Sequence, residues 1–149
     1  MESYELVAAA RSDWHSIRAL LLANDLEPTG LEPHITTTLV AVDGGTVVGC
    51  IALEPYGRQA LLRSLAVDPG RHRSGIGSAL VAAVLELARR MSADAVYLLT
   101  ETAAEYFPRF GFTPTTREAV PELVRRSVEF TTVCPESAAV MVLELRRPA

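Results

Sequence analysis

Two regular spacings of hydrophobic residues predict the helices and strands of this chain. The helical spacing predicts a first helix that begins after Ser12, a favourable N-cap residue, and ends near 24–25. It also predicts a long central helix over 75–91 and a short helix over 102–107. The predicted buried face of the central helix carries Ile76, Leu80, Val84, Leu87 and Met91.

Strands are predicted where apolar and β-branched residues cluster between turn residues. They cover residues 4–10, 37–43, 46–54, 60–67, 95–99 and 138–145. Gly44–Gly45 makes a hairpin turn between the second and third of them. Because three strands follow one another while the others alternate with helices, we expect an α+β fold with helices flanking a mixed central β-sheet. We expect one domain over 1–149.

Composition and charge narrow the function classes. Of the 149 residues, 49% are hydrophobic and 21% are charged, and the formal net charge is −4. This charge argues against a nucleic-acid partner, because proteins that neutralise phosphate backbones are basic. The chain shows neither a signal-peptide pattern nor an apolar run of the ~20 residues that a membrane span requires. We therefore expect a cytoplasmic protein with no membrane partner.

Cysteine and histidine residues indicate no metal site. Neither Cys50 nor Cys134 has a second Cys or a His at the spacing of metal ligands, so both are expected to be free thiols. A nucleophilic role for Cys134 is disfavoured for the same reason. We expect His15 to be exposed on the first helix, and His34, in an early loop, is a candidate contact of the substrate.

The segment 65–78, LAVDPGRHRSGIGS, is the most informative in the chain. A predicted strand ends at Val67, a loop with arginines and glycines follows, and the central helix begins at once. The first amides of a helix lack intrahelical partners and carry the positive end of its dipole, which suits a phosphate or pyrophosphate. The dinucleotide fingerprint fails at Leu80, and the P-loop fails because the chain has no lysine. A loop that merely caps the helix is the alternative interpretation.

With its flanks, this segment resembles motif A of the GNAT superfamily of N-acetyltransferases, L-x-V-x-P followed by R/Q-x-x-G-x-G/A. A second segment, LLTETAAEYFPRFGF over 98–112, is similar to the family's later strand, short helix and aromatic-x-x-x-Gly-Phe ending. The predicted order of elements agrees with that fold along nearly the whole chain. The resemblance implies a GNAT-like sheet with a V-shaped splay between two parallel strands, acetyl-CoA as acetyl donor and a small-molecule amine as acceptor.

The resemblance also implies which residues bind acetyl-CoA. Backbone N–H groups from Ser74 to Ser78 would hold the pyrophosphate, and Arg71 or Arg73, unless they are solvated loop residues, would meet the CoA phosphates. The backbone of 65–67 would pair with the pantetheine, and the N–H of Val67 or Leu65 would polarise the thioester carbonyl. The implied cofactor-binding residues are Leu65, Ala66, Val67, Arg71, His72, Arg73, Ser74, Gly75, Ile76, Gly77, Ser78, Thr100 and Phe107.

Four positions depart from the family's pattern. His72 replaces an Arg or Gln, for which we expect weaker CoA binding, since backbone amides do most of the binding. Thr100 and Phe107 replace an Asn and a Tyr, and this Tyr would protonate the leaving CoA thiolate. Leu61 replaces a Glu that would act as general base.

Glu54 and Arg63 are the charged residues expected to act on the acceptor. Arg63 lies within an apolar strand and, by the period of two, shares a face with Leu61, Leu65 and Val67. Because an unpaired arginine there is costly, it either pairs with Glu54 or clamps an anionic group of the acceptor. Glu54 is the nearest substitute for the missing base, an exposed strand-end carboxylate being the alternative. The predicted catalytic residues are Glu54, Arg63 and Val67.

Within the superfamily the chain is similar to two branches. Residues 96–145 resemble the acetyltransferase domain of N-acetylglutamate synthase-type amino-acid N-acetyltransferases. The whole chain resembles still more the small N-acetyltransferases of arsenic-resistance operons, through LEPYG, LRSLAV, LLT and CPESA. Either branch fits an acceptor that carries an acid group, bound near 129–137, and a homodimer is a further expectation. An enzyme of the arginine-biosynthesis type and a CoA-binding sensor without catalysis remain as alternatives.

Overall fold

The computed structural model of the protein describes residues 3–133 and 135–145. The chain divides into two compact units. Unit 1 comprises Met1–Leu53 and Ser64–Glu86, and unit 2 comprises Glu54–Arg63 and Leu87–Ala149. The single domain over 1–149 stays a prediction.

The described part of the chain contains one mixed sheet with flanking helices, as predicted. Its strands are β1 (Glu5–Ala8), β2 (Thr38–Asp43), β3 (Thr46–Tyr56), β4 (Gln59–Val67), β5 (Ala95–Thr100), β6 (Thr113–Thr115) and β7 (Ala139–Glu144). The α-helices are α1 (Trp14–Ala23), α2 (Ile76–Arg90) and α3 (Glu122–Arg125). Hydrogen bonds order the strands as β1-β2-β3-β4-β5-β7-β6. The β4–β5 pair is parallel, whereas β1–β2, β2–β3, β5–β7 and β6–β7 are antiparallel.

Unit 1 is built on the antiparallel pairs of its first three strands. The predicted hairpin turn between β2 and β3 is confirmed: Gly44 and Gly45 both have positive φ, 57° and 84°, as a two-residue turn of the primed type requires. The hydrophobic core of this unit includes the inner face of α1 and side chains of β2, β3 and β4. Its members are Ile17, Leu20, Leu21, Leu31, Ile35, Val40, Cys50, Ala52 and Ala66.

The first helix begins slightly later than predicted, at Trp14. Ser12 is not its N-cap, because it lies within a 3-10 turn over Arg11–Asp13. The carboxylate of Asp13 accepts the amide of Ala10 at 2.8 Å and so closes that turn. The prediction of Ser12 as N-cap is therefore wrong.

The central helix α2 buries a different set of residues near its end than predicted. Ile76, Leu80 and Val84 are buried as expected, whereas Leu87 is only half-buried and Met91 is 39% exposed. The helix ends one residue before Met91, so the helical period no longer places that side chain on the inner face. The further buried positions of α2 are Val81, Leu85 and Ala88.

Unit 2 combines one parallel strand pair with two antiparallel pairs. Gln59–Leu61 of β4 pairs with Ala95–Tyr97 of β5 in parallel. β5 pairs along its whole length with β7, and β6 adds a short strand to the other side of β7. The core of this unit contains Leu61, Ala95, Tyr97, Val120, Val124 and Val140.

Several short elements of unit 2 differ from the prediction. The helix predicted over 102–107 is replaced by turns and a 3-10 helix over Phe107–Phe110. One physical reason is Pro108, which has no amide to donate within a helix. The strand β6, the helix α3 and a π-helical turn over Glu129–Val133 were not predicted, because such short elements have no hydrophobic period of their own.

Gly49 of β3 lies where unit 1 leaves no room for a side chain. A Cβ there would lie 2.9 Å from Leu80 Cδ1 and 3.0 Å from Ile76 Cγ2. We expect Gly49→Ala to lower the free energy of unfolding, measured by urea denaturation, by ~1–3 kcal/mol through overpacking. Gly70→Ala is the control, since the nearest neighbour of its Cβ lies 3.5 Å away. Equal stability of the two variants would contradict the expectation.

Candidate active site

The loop after β4 is a structured turn in unit 1. The amide of Asp68 donates to the carbonyl of Val48 on β3 at 2.8 Å, and the Asp68 carboxylate accepts the amide of Gly70 at 2.9 Å. The amide of Arg71 donates to the Asp68 carbonyl at 2.8 Å and completes a 3-10 turn over Pro69–Arg71. The turn brings the chain directly into α2.

The amino end of α2 presents the backbone amides expected to bind an anion. The amide of Ala79 donates along the helix to the carbonyl of Gly75 at 3.0 Å. The amides of Ile76, Gly77 and Ser78 precede that bond and lie in the first turn, where the helix dipole is positive. Gly75 has a φ of +87°, and the space where its Cβ would stand is open. The arrangement suits a ligand that approaches the backbone closely.

Ser74 was predicted to lead this set of amides, but it belongs to the preceding turn. Its amide donates to the carbonyl of Arg71 at 3.3 Å. Its hydroxyl oxygen is buried and makes no hydrogen bond within the described residues. The run of first-turn amides therefore starts after Ser74.

The three basic side chains of the loop, Arg71, His72 and Arg73, differ in their contacts with the protein. Arg71 pairs with Asp43 at 2.5 Å, and the hydrogen bond from Arg71 holds the pKa of Asp43 below its ordinary 3.8. His72 Nε2 lies 3.0 Å from the carbonyl oxygen of Val67. Arg73 is exposed and has a left-handed backbone conformation, with a φ of 72°. Of the two predicted phosphate-binding arginines, Arg73 presents its guanidinium to solvent and Arg71 shares its charge with Asp43.

The last residues of β4 were predicted to meet the pantetheine and the thioester. Leu65 and Val67 are half-buried, and Ala66 belongs to the core of unit 1. Ser64 has a φ of +63°, in the left-handed region. This conformation departs from the extended backbone on which the predicted alternation along β4 depends.

Cys50 of β3 is a free thiol, as predicted, and it is buried. Its Sγ lies 3.3 Å from the carbonyl oxygen of Ser64, and burial raises its pKa to about 12. A thiol with this pKa stays protonated near neutral pH and is not a nucleophile. Cys134 lies outside the described residues.

Thr100 and Phe107, predicted cofactor contacts, lie in unit 2. Thr100 ends β5, and its hydroxyl accepts the amide of Ala103 at 2.9 Å. Phe107 is 5% exposed, and its ring packs edge-on against Tyr106 and Phe112, with centroids 5.3 Å and 5.7 Å away. Phe107 is thus part of an aromatic cluster and provides no proton donor.

Arg63 and Glu54 form a buried ion pair in unit 2. Arg63 Nη1 lies 2.8 Å from Glu54 Oε2, and their side chains are 0% and 1% exposed. The internal pairing predicted as one alternative for Arg63 is confirmed, and the expectation that Glu54 is an exposed strand-end carboxylate is wrong. Burial of an arginine requires such a partner, because an unpaired charge away from water is strongly unfavourable.

The hydroxyl groups of Ser127 and Tyr56 also bind Glu54. Burial by itself raises the pKa of Glu54, but hydrogen bonds from Arg63, Ser127 and Tyr56 outweigh it and hold the pKa below its ordinary 4.5. Burial, followed by the hydrogen bond to Glu54, raises the pKa of Tyr56 to about 12. Near neutral pH the Glu54 carboxylate is ionised and the Tyr56 hydroxyl is neutral.

A second carboxylate, that of Glu129, faces the same arginine. Glu129 Oε2 lies 3.7 Å from Arg63 Nη2, and the Glu129 side chain is 11% exposed. Glu129 begins the π-helical turn, and its amide donates to Ser127 Oγ at 3.1 Å. Sequence reasoning missed Ser127 and Glu129, because residues far apart in the chain leave no spacing signal. It also missed Tyr56, although the period of two places Tyr56 on the same face of the strand as Glu54.

The fold places the chain among acetyltransferase structures. N-acetylglutamate synthase from Neisseria gonorrhoeae matches with a TM-score of 0.83 and 23% identity, over 99% of this chain and 36% of that chain. Rv2747 from Mycobacterium tuberculosis matches with a TM-score of 0.79 and 27% identity, over 95% of this chain and 99% of that chain. Ard1 from Thermoplasma volcanium matches with a TM-score of 0.77 and 22% identity, over 98% and 100% of the two chains.

The chain belongs to the acetyltransferase (GNAT) domain family, whose model matches residues 34–114. It is 41% identical over 88 residues to an amino-acid acetyltransferase of M. tuberculosis, over 54% of this chain and 49% of that protein. It is 28% identical over 98 residues to an amino-acid acetyltransferase of Neisseria meningitidis, over 64% of this chain and 22% of that protein. The match thus spans about half the length of the first relative and about a fifth of the second.

Two absences hold for residues 3–133 and 135–145, the ranges that the structure describes. None of the helices in these ranges combines the length and the apolar character needed to cross a membrane. No three His, Cys, Asp or Glu side chains in these ranges are grouped so that they could hold a metal ion.

We expect Glu54→Gln to lower the free energy of unfolding at pH 7 by ~3 kcal/mol, because it removes the hydrogen-bonded counter-charge of the buried Arg63. The folded-state pKa of Glu54 is below 4.5, so its contribution is present above that pH and is lost as the pH falls through the folded-state value. The difference between wild type and variant, measured by urea denaturation, should therefore shrink in acid.

Glu122→Gln is the matched control for this experiment. It removes the same charge from a carboxylate that is 75% exposed and pairs only with Arg126 at the surface in the described structure. We expect it to change the free energy of unfolding by less than ~1 kcal/mol. A Glu54→Gln variant as stable as Glu122→Gln, or a difference that persists unchanged in acid, would contradict the expectation.

Proposed function

We propose that this chain is an N-acetyltransferase that moves an acetyl group from acetyl-CoA to the amine of a small, amino-acid-like acceptor. The observation that carries the proposal is the turn after β4 leading into the first-turn amides of α2, in a chain of the GNAT family. Such amides are suited to the pyrophosphate of CoA. Solved structures of the similar proteins from N. gonorrhoeae and M. tuberculosis are complexes with coenzyme A.

In this proposal the amides from Gly75 to Ser78 hold the pyrophosphate. Arg73 adds a charge-assisted contact to a CoA phosphate, since its side chain is already in solvent. Arg71 would have to share its guanidinium with Asp43. His72 holds the loop through the Val67 carbonyl, which leaves the phosphate to the backbone.

The proposed chemistry is direct transfer between the two substrates. The neutral amine nitrogen attacks the thioester carbon, and the N–H of Val67 or Leu65 stabilises the oxyanion. The C–S bond then breaks to release CoA as thiolate, and the nitrogen loses its extra proton to water. A thiol has a pKa near ~8.5, so its thiolate leaves without a strong proton donor, which fits a chain with Phe107 in place of a tyrosine. The high pKa of Cys50 argues against an acetyl-cysteine intermediate on that residue.

Glu54 is proposed to act on the acceptor through Arg63. Its lowered pKa makes it a weak proton acceptor, and hydrogen bonds from Arg63, Ser127 and Tyr56 engage its oxygens. The pair therefore fits the positioning of a charged acceptor group better than the removal of the amine proton.

An amino-acid-like acceptor is proposed because the curated relatives in M. tuberculosis and N. meningitidis are amino-acid acetyltransferases. One solved structure of the N. gonorrhoeae enzyme is described as a complex with coenzyme A and N-acetyl-glutamate. The alternative to an amino acid is an acceptor of the kind used by the arsenic-resistance N-acetyltransferases, which the sequence also resembles. A screen of thiol release from acetyl-CoA against amino acids and their analogues would separate them.

A CoA-binding sensor is the second candidate, favoured by Leu61 and Phe107 at the positions where the family has a base and an acid. Calorimetric binding of acetyl-CoA, run beside the thiol-release screen, distinguishes the candidates. An enzyme releases thiol only with a suitable amine, whereas a sensor binds acetyl-CoA and releases none with any amine.

We expect Gly75→Leu to weaken acetyl-CoA binding by about tenfold or more, because a side chain there would fill the space in front of the first-turn amides. The calorimetric dissociation constant of acetyl-CoA measures the effect.

Gly57→Leu is the control variant. Gly57 also has a positive φ, +66°, and open space at its Cβ, so the substitution carries a similar backbone strain outside the loop. Gly75→Leu and Gly57→Leu should lose similar stability, and only the former should lose CoA affinity. Unchanged affinity in Gly75→Leu would count against the proposed pyrophosphate site.

A further inference from the structure

The carbonyl oxygen of Val67, at the end of β4, is held by two side chains of unit 1. Asn24 Nδ2 donates to it at 3.1 Å, and His72 Nε2 lies 3.0 Å from it. Because a carbonyl oxygen only accepts, His72 Nε2 must carry the hydrogen in this contact. The donors come from separate elements, the end of α1 and the loop after β4. Since a carbonyl oxygen has two lone pairs, these two donors use its whole capacity.

Asn24 connects the end of α1 with the end of β4. It is the C-cap residue of α1, and its backbone amide donates to the carbonyl of Leu21 at 3.0 Å. Its side-chain nitrogen donates to the carbonyl of Leu20 at 2.9 Å, so that one hydrogen of Nδ2 serves Leu20 and the other serves Val67. The carbonyl of Val67 is therefore tied to a helix whose inner face belongs to the core of unit 1.

The neighbouring amides show which edge of β4 carries the N–H of Val67. The amide of Ala66 donates to Sγ of Cys50, and the amide of Asp68 donates to the carbonyl of Val48 at 2.8 Å, so both point toward β3. In an extended strand successive N–H groups point to opposite edges, and the N–H and C=O of one residue share an edge. Val67 is the last residue of β4. Its N–H therefore lies on the edge away from β3, beside its own carbonyl.

From these contacts we infer that Asn24 and His72 are positioning residues for the N–H of Val67, which polarises the thioester carbonyl of acetyl-CoA. Together with the Asp68 amide they bind both ends of the peptide group that follows Val67. This keeps the strand extended where the Val67 N–H meets the thioester oxygen, and a donor to an oxyanion acts best when its orientation is fixed in advance. Because the Val67 carbonyl is used within the protein, the coenzyme takes the N–H of this residue and not its carbonyl. This inference rests on the proposed acetyl-CoA site.

The test is the carbon-13 resonance of acetyl-CoA labelled at the acetyl carbonyl and bound to the protein at pH 7. A hydrogen bond to the carbonyl oxygen draws electron density from the carbon and moves its resonance downfield of that of free acetyl-CoA. We expect this displacement in wild type. We expect Asn24→Asp and His72→Leu each to lose most of it, because neither new side chain can donate to the Val67 carbonyl. Each complex is measured at saturating acetyl-CoA, as calorimetry defines it.

Two substitutions serve as controls. His72→Gln retains an N–H donor at this position and should keep the wild-type displacement. His15→Leu removes an exposed imidazole from α1 and should keep it too. Thermal unfolding of every variant is recorded, because Asn24 also caps α1, whereas His72 is exposed. A merely structural role for the two residues would alter unfolding and leave the resonance of bound acetyl-CoA unchanged.

The possible outcomes separate this inference from the proposed function. Unchanged resonances in Asn24→Asp and His72→Leu, or a wild-type resonance like that of free acetyl-CoA, would overturn the inference even if the thiol-release screen finds an acceptor. Loss of acetyl-CoA binding in both variants would also overturn it, because the side chains would then serve binding and not the orientation of the amide.

Two further outcomes bear on the proposed function itself. A displaced resonance that both variants lose, without thiol release for any amine, would uphold the inference and support the sensor. A wild-type protein that does not bind acetyl-CoA would reject the inference and the proposed function together.

Discussion

The buried positive charge of Arg63 is the constraint on which much of unit 2 depends. An arginine side chain that is 0% exposed must have its charge and its donors matched inside the protein. Glu54 provides the opposite charge, and Tyr56 and Ser127 then hold Glu54. Breaking a buried pair costs ~3–5 kcal/mol, a large part of the ~5–15 kcal/mol that stabilises a typical domain. The group must therefore be complete in the folded protein.

The candidate phosphate site in unit 1 depends on backbone groups and not on a buried ion pair. Its donors are backbone amides of the first turn of α2, so its chemistry depends on backbone conformation more than on side-chain identity. The left-handed φ of Gly75 and the bonds around Asp68 define that conformation. This explains why the chain can carry His72 where the family has Arg or Gln: the side chain supports the loop, and the amides remain.

The sequence predicted the features that have a local signal and missed those that depend on tertiary contact. Helical spacing located α1 and α2, and clusters of β-branched residues located the long strands, since both patterns repeat over many residues. Loop 65–78 was predicted from glycines and a following helix. The surroundings of the Arg63–Glu54 pair were only half predicted: Glu54 lies on the strand adjacent to that of Arg63, whereas Ser127 and Glu129 come from an irregular segment. The left-handed φ of Ser64 has no sequence signal, because serine rarely adopts it.

The two missing catalytic side chains of the family have unequal consequences. The absence of a proton donor at position 107 matters little. The CoA thiol has a pKa near ~8.5, so its thiolate is already an acceptable leaving group. The absence of a base at position 61 matters more. A Lys-like amine with a pKa near ~10.4 is neutral in only about one molecule in a few thousand at pH 7, and only the neutral amine can attack. Glu54 does not replace it, since its carboxylate is committed to Arg63. The proposed transfer then depends on the small neutral fraction of the acceptor amine.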